Sequence, residues 1–173
     1  VGIRLTIRSL LLLLLLLFLL PLVGLGPAGA TAQPKTVTVR VTLNGLLGVD
    51  ILIDSGGFPL YHDLLEKKGE IHCVASCTEY WRPLLVDRGA KLLAGPGVKA
   101  SELATVKRPN GDIQVTYHGL ALYLFVGDTL PGQALGQGAH GVWFAVTPEG
   151  AVTTAGTSGP ARNDGGAGPG YGY

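Results

Sequence analysis

Ile113-Gln114-Val115-Thr116-Tyr117-His118-Gly119-Leu120-Ala121-Leu122-Tyr123-Leu124-Phe125-Val126-Gly127-Asp128 is the stretch that decides the fold class. Its first five residues alternate. Ile113, Val115 and Tyr117 fall on one face of an extended segment, Gln114 and Thr116 on the other. His118-Gly119 then supplies a dipeptide suited to a tight hairpin turn. Residues 120–125 form a second apolar run. A polar, glycine-bearing loop leads to a third, Trp143-Phe144-Ala145-Val146-Thr147.

The same order occurs 62 residues earlier, without gaps. Asp50-Ile51 falls on Asp112-Ile113, Gly57 on Gly119, Leu60-Tyr61 on Leu122-Tyr123 and Trp81 on Trp143. The two tryptophans of the chain thus become equivalent, and Glu66 falls on Asp128. Two tandem units follow, about 48–88 and 110–150. In the first, Gly56-Gly57 takes the place of the turn, and Pro83 marks an edge strand or a bend. Ahead of both units, Thr36-Val37-Thr38-Val39-Arg40-Val41-Thr42-Leu43 alternates cleanly and stops at Asn44-Gly45. Residues 75–80 and 99–106 suit short helical turns. The expected fold is mainly β: a small sandwich- or barrel-like domain built from two pseudo-symmetric repeats of short antiparallel strands.

The ends read differently. Residues 10–20 are apolar throughout, Arg4 and Arg8 precede them, and Pro21 and Gly24 break the run before Ala28-Gly29-Ala30-Thr31-Ala32. This is the layout of a signal peptide, residues 1–32, with cleavage before Gln33. The apolar run falls short of the ~20 residues a spanning helix needs. An uncleaved leader acting as an anchor is the alternative. Residues 151–173 are dominated by Gly, Ala, Ser, Thr and Pro and read as a flexible tail. The folded body is then 33–150, enough chain for one core. The 13 Lys+Arg and 12 Asp+Glu leave a formal net charge of only +1, no electrostatic case for nucleic acid.

The motif residues carry a family resemblance. Tyr123-Leu124-Phe125-Val126-Gly127-Asp128 fits Y-x-[FWY]-x-x-D. It stands with Gly136-Gln137-Gly138 ahead of Trp143, and with Cys73-x3-Cys77-x3-Trp81-x-Pro83-Leu84 in the first unit. Together these resemble the secreted-repeat family of predicted bacterial lipoproteins with the Yx(FWY)xxD motif, over about 48–150. The resemblance implies an extracytoplasmic protein with tandem repeats and no established biochemical role. The chain departs from the pattern at Asp63, where the aromatic is expected, and at Glu66, which replaces the Asp. It also has no Cys near the predicted cleavage site to carry a lipid.

Cys73 and Cys77 read first as a disulfide closing a small loop in an exported protein. The alternative is a soft-metal site for copper or zinc, with His72 or His140 as a further ligand. C-x3-C lacks the spacing for covalent haem attachment. Asp54-Ser55-Gly56-Gly57 resembles an aspartic-protease turn. The repeat partner of Asp54 is Thr116, so the second carboxylate is missing and a hairpin turn is the better reading. His118 is expected exposed in its turn, and His62 follows a motif tyrosine. Tyr61, Trp81, Tyr123, Phe125 and Trp143 are expected as core anchors. Glu66 and Asp128 are expected to accept backbone N–H groups of the loops that follow them.

The functional expectation is an exported, non-enzymatic binding or structural domain, secreted or attached to the cell envelope. Its partner is an envelope protein or small ligand, and membrane contact is confined to an uncleaved leader. The alternative is an extracytoplasmic redox or metal module, holding copper or haem, that uses Cys73 and Cys77.

Overall fold

The computed structural model describes residues 36–87 and 89–156. The predicted signal peptide and most of the predicted tail lie outside the described residues. The chain forms β1 (Thr36–Asn44), β2 (Val49–Ile53), β3 (Tyr61–Asp63), α1 (Cys77–Tyr80), β4 (Trp81–Pro83) and β5 (Lys91–Ala94). A 3-10 turn (Ala100–Glu102) follows, then β6 (Leu103–Lys107), β7 (Ile113–Tyr117), β8 (Leu120–Ala121), β9 (Tyr123–Phe125) and β10 (Trp143–Ala145). The mainly β expectation holds.

The strands make three small sheets, in the orders β2-β1-β5, β10-β3-β9-β4 and β6-β7-β8. None closes on itself, which corrects the barrel-like expectation: each sheet keeps two edges, and isolated bridges such as Leu85 with Gln114 link one sheet to the next. Pairing is antiparallel except between β1 and β5, which run parallel from Thr36 opposite Lys91 to Val39 opposite Ala94. β4 is an edge strand, the position Pro83 requires because it brings no N–H to a ladder.

Alternation explains the core. Ile51 and Ile53 point into one apolar cluster with Tyr61, Trp81, Tyr123 and Trp143. Leu52 points into a second, with Leu60, Leu122, Val115 and Val146. A strand between two clusters has no solvent face. Both faces of β7 are covered: Gln114 and Thr116 are buried along with Val115 and Tyr117, while Ile113 at its start is exposed. The segment 99–106, read as suited to short helical turns, carries one 3-10 turn and then β6, in which Leu103 and Val106 are partly covered. The apolar run 120–125 divides at Leu122 into β8 and β9, which lie in different sheets.

Turn chemistry fixes the hairpins. His118 and Gly119 both have positive φ, 50° and 81°, the pairing of signs a two-residue hairpin loop takes. Asn44 Oδ1 accepts the N–H groups of Leu46 and Leu47 and so closes the β1–β2 turn. At the other end, residues 151–156 continue the fold beyond the expected boundary at 150. Val152 bridges Val146, and Thr153 N donates to Ala145 O. Gln137 Nε2 donates to the carbonyls of Thr153 and Ala155.

Leu122 has no exposed surface, whereas Leu93 is 47% exposed. Leu122→Ala is expected to destabilise the protein by about 2–5 kcal/mol in denaturant unfolding, through lost burial and a residual cavity. Leu93→Ala is expected to stay within about 0.5 kcal/mol.

Candidate functional site: a tyrosine–carboxylate core and a disulfide cleft

The motif residues meet in one buried cluster. Tyr61 and Tyr123 lie opposite each other where β3 pairs with β9. Trp81 and Trp143 stack face to face, with centroids 3.9 Å apart and planes 4° apart. Tyr61 meets the edge of Trp81 at 5.5 Å, and Tyr123 meets Trp143 at 5.1 Å. These four side chains are at most 2% exposed. Phe125 leans on Trp81 at 4.6 Å and is half-buried. Four of the five expected anchors are thus buried and Phe125 is only partly covered.

Each tyrosine hydroxyl donates to an acid far away in sequence. Tyr61 Oη donates to Asp128 Oδ2 at 2.7 Å, and Tyr123 Oη donates to Glu66 Oε1 at 2.7 Å. The acids also hold the loops that follow them, as expected. Leu135 N donates to Asp128 Oδ1, and the N–H groups of His72 and Cys73 donate to Glu66 Oε1. Burial, and then the facing carboxylate, push both phenols well above the ordinary tyrosine value of 10.0, so each remains a donor. Burial likewise raises the Asp128 carboxyl above 3.8, against the opposing pull of its bonds from Tyr61 and Leu135.

Two buried residues escaped the sequence reading. Arg108 donates to Gln114 Oε1 and, at 2.6 Å, to Cys73 O; its guanidinium lies 5.9 Å from the Tyr123 ring centre. Gln114 Nε2 donates to Leu122 O. Nothing local distinguishes these from surface polar residues, and Arg108 follows Lys107 in a polar turn. Gln114 carries the one available signal, because it stands inside a strand flanked by apolar runs.

Cys73 and Cys77 form the expected disulfide, with Cα atoms 5.2 Å apart. The bridge spans the turn ahead of α1, where Ala75 adopts φ 48° and lets the chain double back. A cleft of about 210 Å³ beside it is lined by His72, Cys73, Cys77, His140, Asp63 and Trp143, among others. The four residues of the metal alternative therefore share one cleft, but both sulfurs are committed to the bridge. Among the described residues no group of three or more potential ligands has metal-holding geometry. His72 lies 3.4 Å from Glu70 and is largely exposed.

The remaining candidates are local. Asp54 Oδ1 accepts Phe58 N, which makes it the cap of a tight turn. His62 is buried with its ring nitrogens against Ala121 O and Glu66 O, at 3.0 and 3.2 Å. His118, expected exposed, is partly covered: its Nδ1 lies 3.2 Å from Glu102 and its ring meets Tyr117 edge-on.

With this geometry in view, the comparisons fall on the second half of the fold. Residues 104–147 match a family described as a secreted repeat of unknown function, Lipoprotein_15. The matched stretch runs from within β6 to just past β10 and contains Tyr123, Asp128 and Trp143. The secreted-repeat resemblance read from the sequence holds for this segment. No curated protein and no solved structure matches the chain. No described helix is long and apolar enough to cross a membrane.

Two outcomes test the cluster. Tyr61→Phe leaves Asp128 Oδ2 buried without its donor and is expected to cost about 1–3 kcal/mol of stability. Asp128 has a folded-state pKa above its unfolded value, so its stabilising contribution is complete below about 3.8 and is lost as pH rises through the folded value. Urea unfolding at several pH values should show the advantage of wild type over Asp128→Asn shrinking through that window; an advantage that grows with pH contradicts the sign.

Proposed function

We propose that the chain is an exported, non-catalytic domain, made of two fused repeats, that serves a binding or structural role outside the cytoplasm at the cell envelope. The observation that carries this reading is the burial of Tyr61, Trp81, Tyr123 and Trp143. Side chains that distinguish the repeat are spent on one another, as architecture, and Trp143 also borders the disulfide cleft. The secreted family description supports the location, and so does a disulfide, which persists in oxidising compartments. Glu66 Oε1 takes three donors and each Asp128 oxygen takes one, so both buried acids are engaged in holding the fold and not presented as a general acid or base.

The second reading, a redox or metal module, is favoured by the cleft that gathers His72, Cys73, Cys77 and His140. It requires the disulfide to take up two electrons and two protons from a dithiol reductant before thiolates can bind copper or zinc.

Intact mass and metal analysis of protein exported by a bacterial host separate these readings. The expected result is a chain lacking the leader, two hydrogens lighter than its dithiol form, with no stoichiometric metal or chromophore. Copper or zinc at one per chain would sink the structural reading. Cys73→Ala/Cys77→Ala is expected to fold with a loss of about 2 kcal/mol from the short closed loop.

A further inference from the structure

The central sheet alternates between the two halves of the chain. In the order β10-β3-β9-β4, β3 and β4 belong to the first half and β9 and β10 to the second, so no strand pairs with a neighbour from its own half. The contacts between the halves follow the same exchange. Tyr61 bonds Asp128 while Tyr123 bonds Glu66. Leu52 N donates to Val146 O while Val115 N donates to Leu84 O; Val146 N donates to Leu60 O while Leu84 N donates to Leu122 O. The hairpin ahead of each half reaches the acid loop of the other: Asn44 Nδ2 donates to Gly132 O, and Arg108 donates to Cys73 O. The stacked indoles come one from each half. These pairs are related by an exchange of halves, the pattern of a two-fold interface between like subunits.

We infer that each repeat is a binding partner for another repeat, and that this protein is a two-fold dimer of repeats joined by a linker that the interface does not need. Three observations converge. Neither half holds a sheet partner for its own β3, β4, β9 or β10. A half on its own exposes its tyrosine and its indole to water and loses the bond between its acid and the opposite phenol. The disulfide lies wholly within the first half, so no covalent bond other than the linker joins the two. The linker passes through the exposed turn at Gly89, and β5 within it pairs with β1, ahead of the first half. The family segment matched at 104–147 is one such half. A chain carrying a single copy is therefore expected to pair with a second copy of itself.

The test uses the full chain with a protease recognition sequence inserted between Gly89 and Ala90. After complete cleavage, the two fragments are expected to co-elute at the mass of the uncut protein at micromolar concentration and to keep the near-ultraviolet circular dichroism of the Trp81–Trp143 stack. The melting temperature of the cut protein should rise with concentration, which that of the uncut protein does not. Fragments that separate, or that lose the tryptophan signal on cleavage, overturn the proposal. Hydrogen exchange on the unmodified protein gives an independent measure. Amides of β3, β4, β9 and β10 are expected to open together with one common free energy. Two groups opening separately, one for each half, would overturn it as well.

Discussion

A carboxylate in a dry core must be given donors, and here one donor to each acid comes from the other half of the chain. Asp128 takes one backbone N–H from the loop that follows and Glu66 takes two, and each accepts a phenol from a strand about 60 residues away. The first bond shapes a loop and the second ties that loop to the opposite half. Lose the tyrosine and the acid becomes a buried charge with unfilled valence; lose the acid and the phenol is stranded beside two indoles. The Trp81–Trp143 stack, the edge contacts of the tyrosines and the ladder between β3 and β9 all sit around these two bonds.

The two acids have different support. Glu66 lies in the loop that the Cys73–Cys77 bridge tightens, and Arg108 binds the carbonyl of Cys73. Asp128 has Leu135 where the first half has Cys73, and its loop is secured by Gln137, which holds Ala145 N and the carbonyls of Thr153 and Ala155. A covalent staple in one loop and a glutamine clamp in the other do similar mechanical work. Gly136 fits that second loop because a Cβ there would lie 2.8 Å from the Trp81 ring.

Much of this was legible in the residues. The alternation of 36–43 became β1, His118-Gly119 became the positive-φ turn, Pro83 fell on an edge strand, and the aromatic set proved buried. The 62-residue offset links β3 with β9 and β4 with β10 position by position. It slips in β2: Leu60 N bonds Leu52 O where Leu122 N bonds Val115 O, because the loop after β2 is one residue longer than the His118-Gly119 turn. The partners of Tyr61 and Tyr123 were not legible, since a repeat pattern states which residues correspond and says nothing of which half supplies each contact. Gln114 and Arg108 were missed for a related reason. Period-2 reasoning assumes one wet face, and β7 has none over 114–117.

The interleaved sheet also sets an order of events along the chain. β3 is made early, but its neighbours β9 and β10 lie roughly sixty and eighty residues downstream. Its ladder cannot close until nearly the whole body has emerged, since contacts so distant in sequence form late. A polypeptide that threads through a narrow channel gains from such delay, because a sheet that cannot assemble early cannot jam the passage.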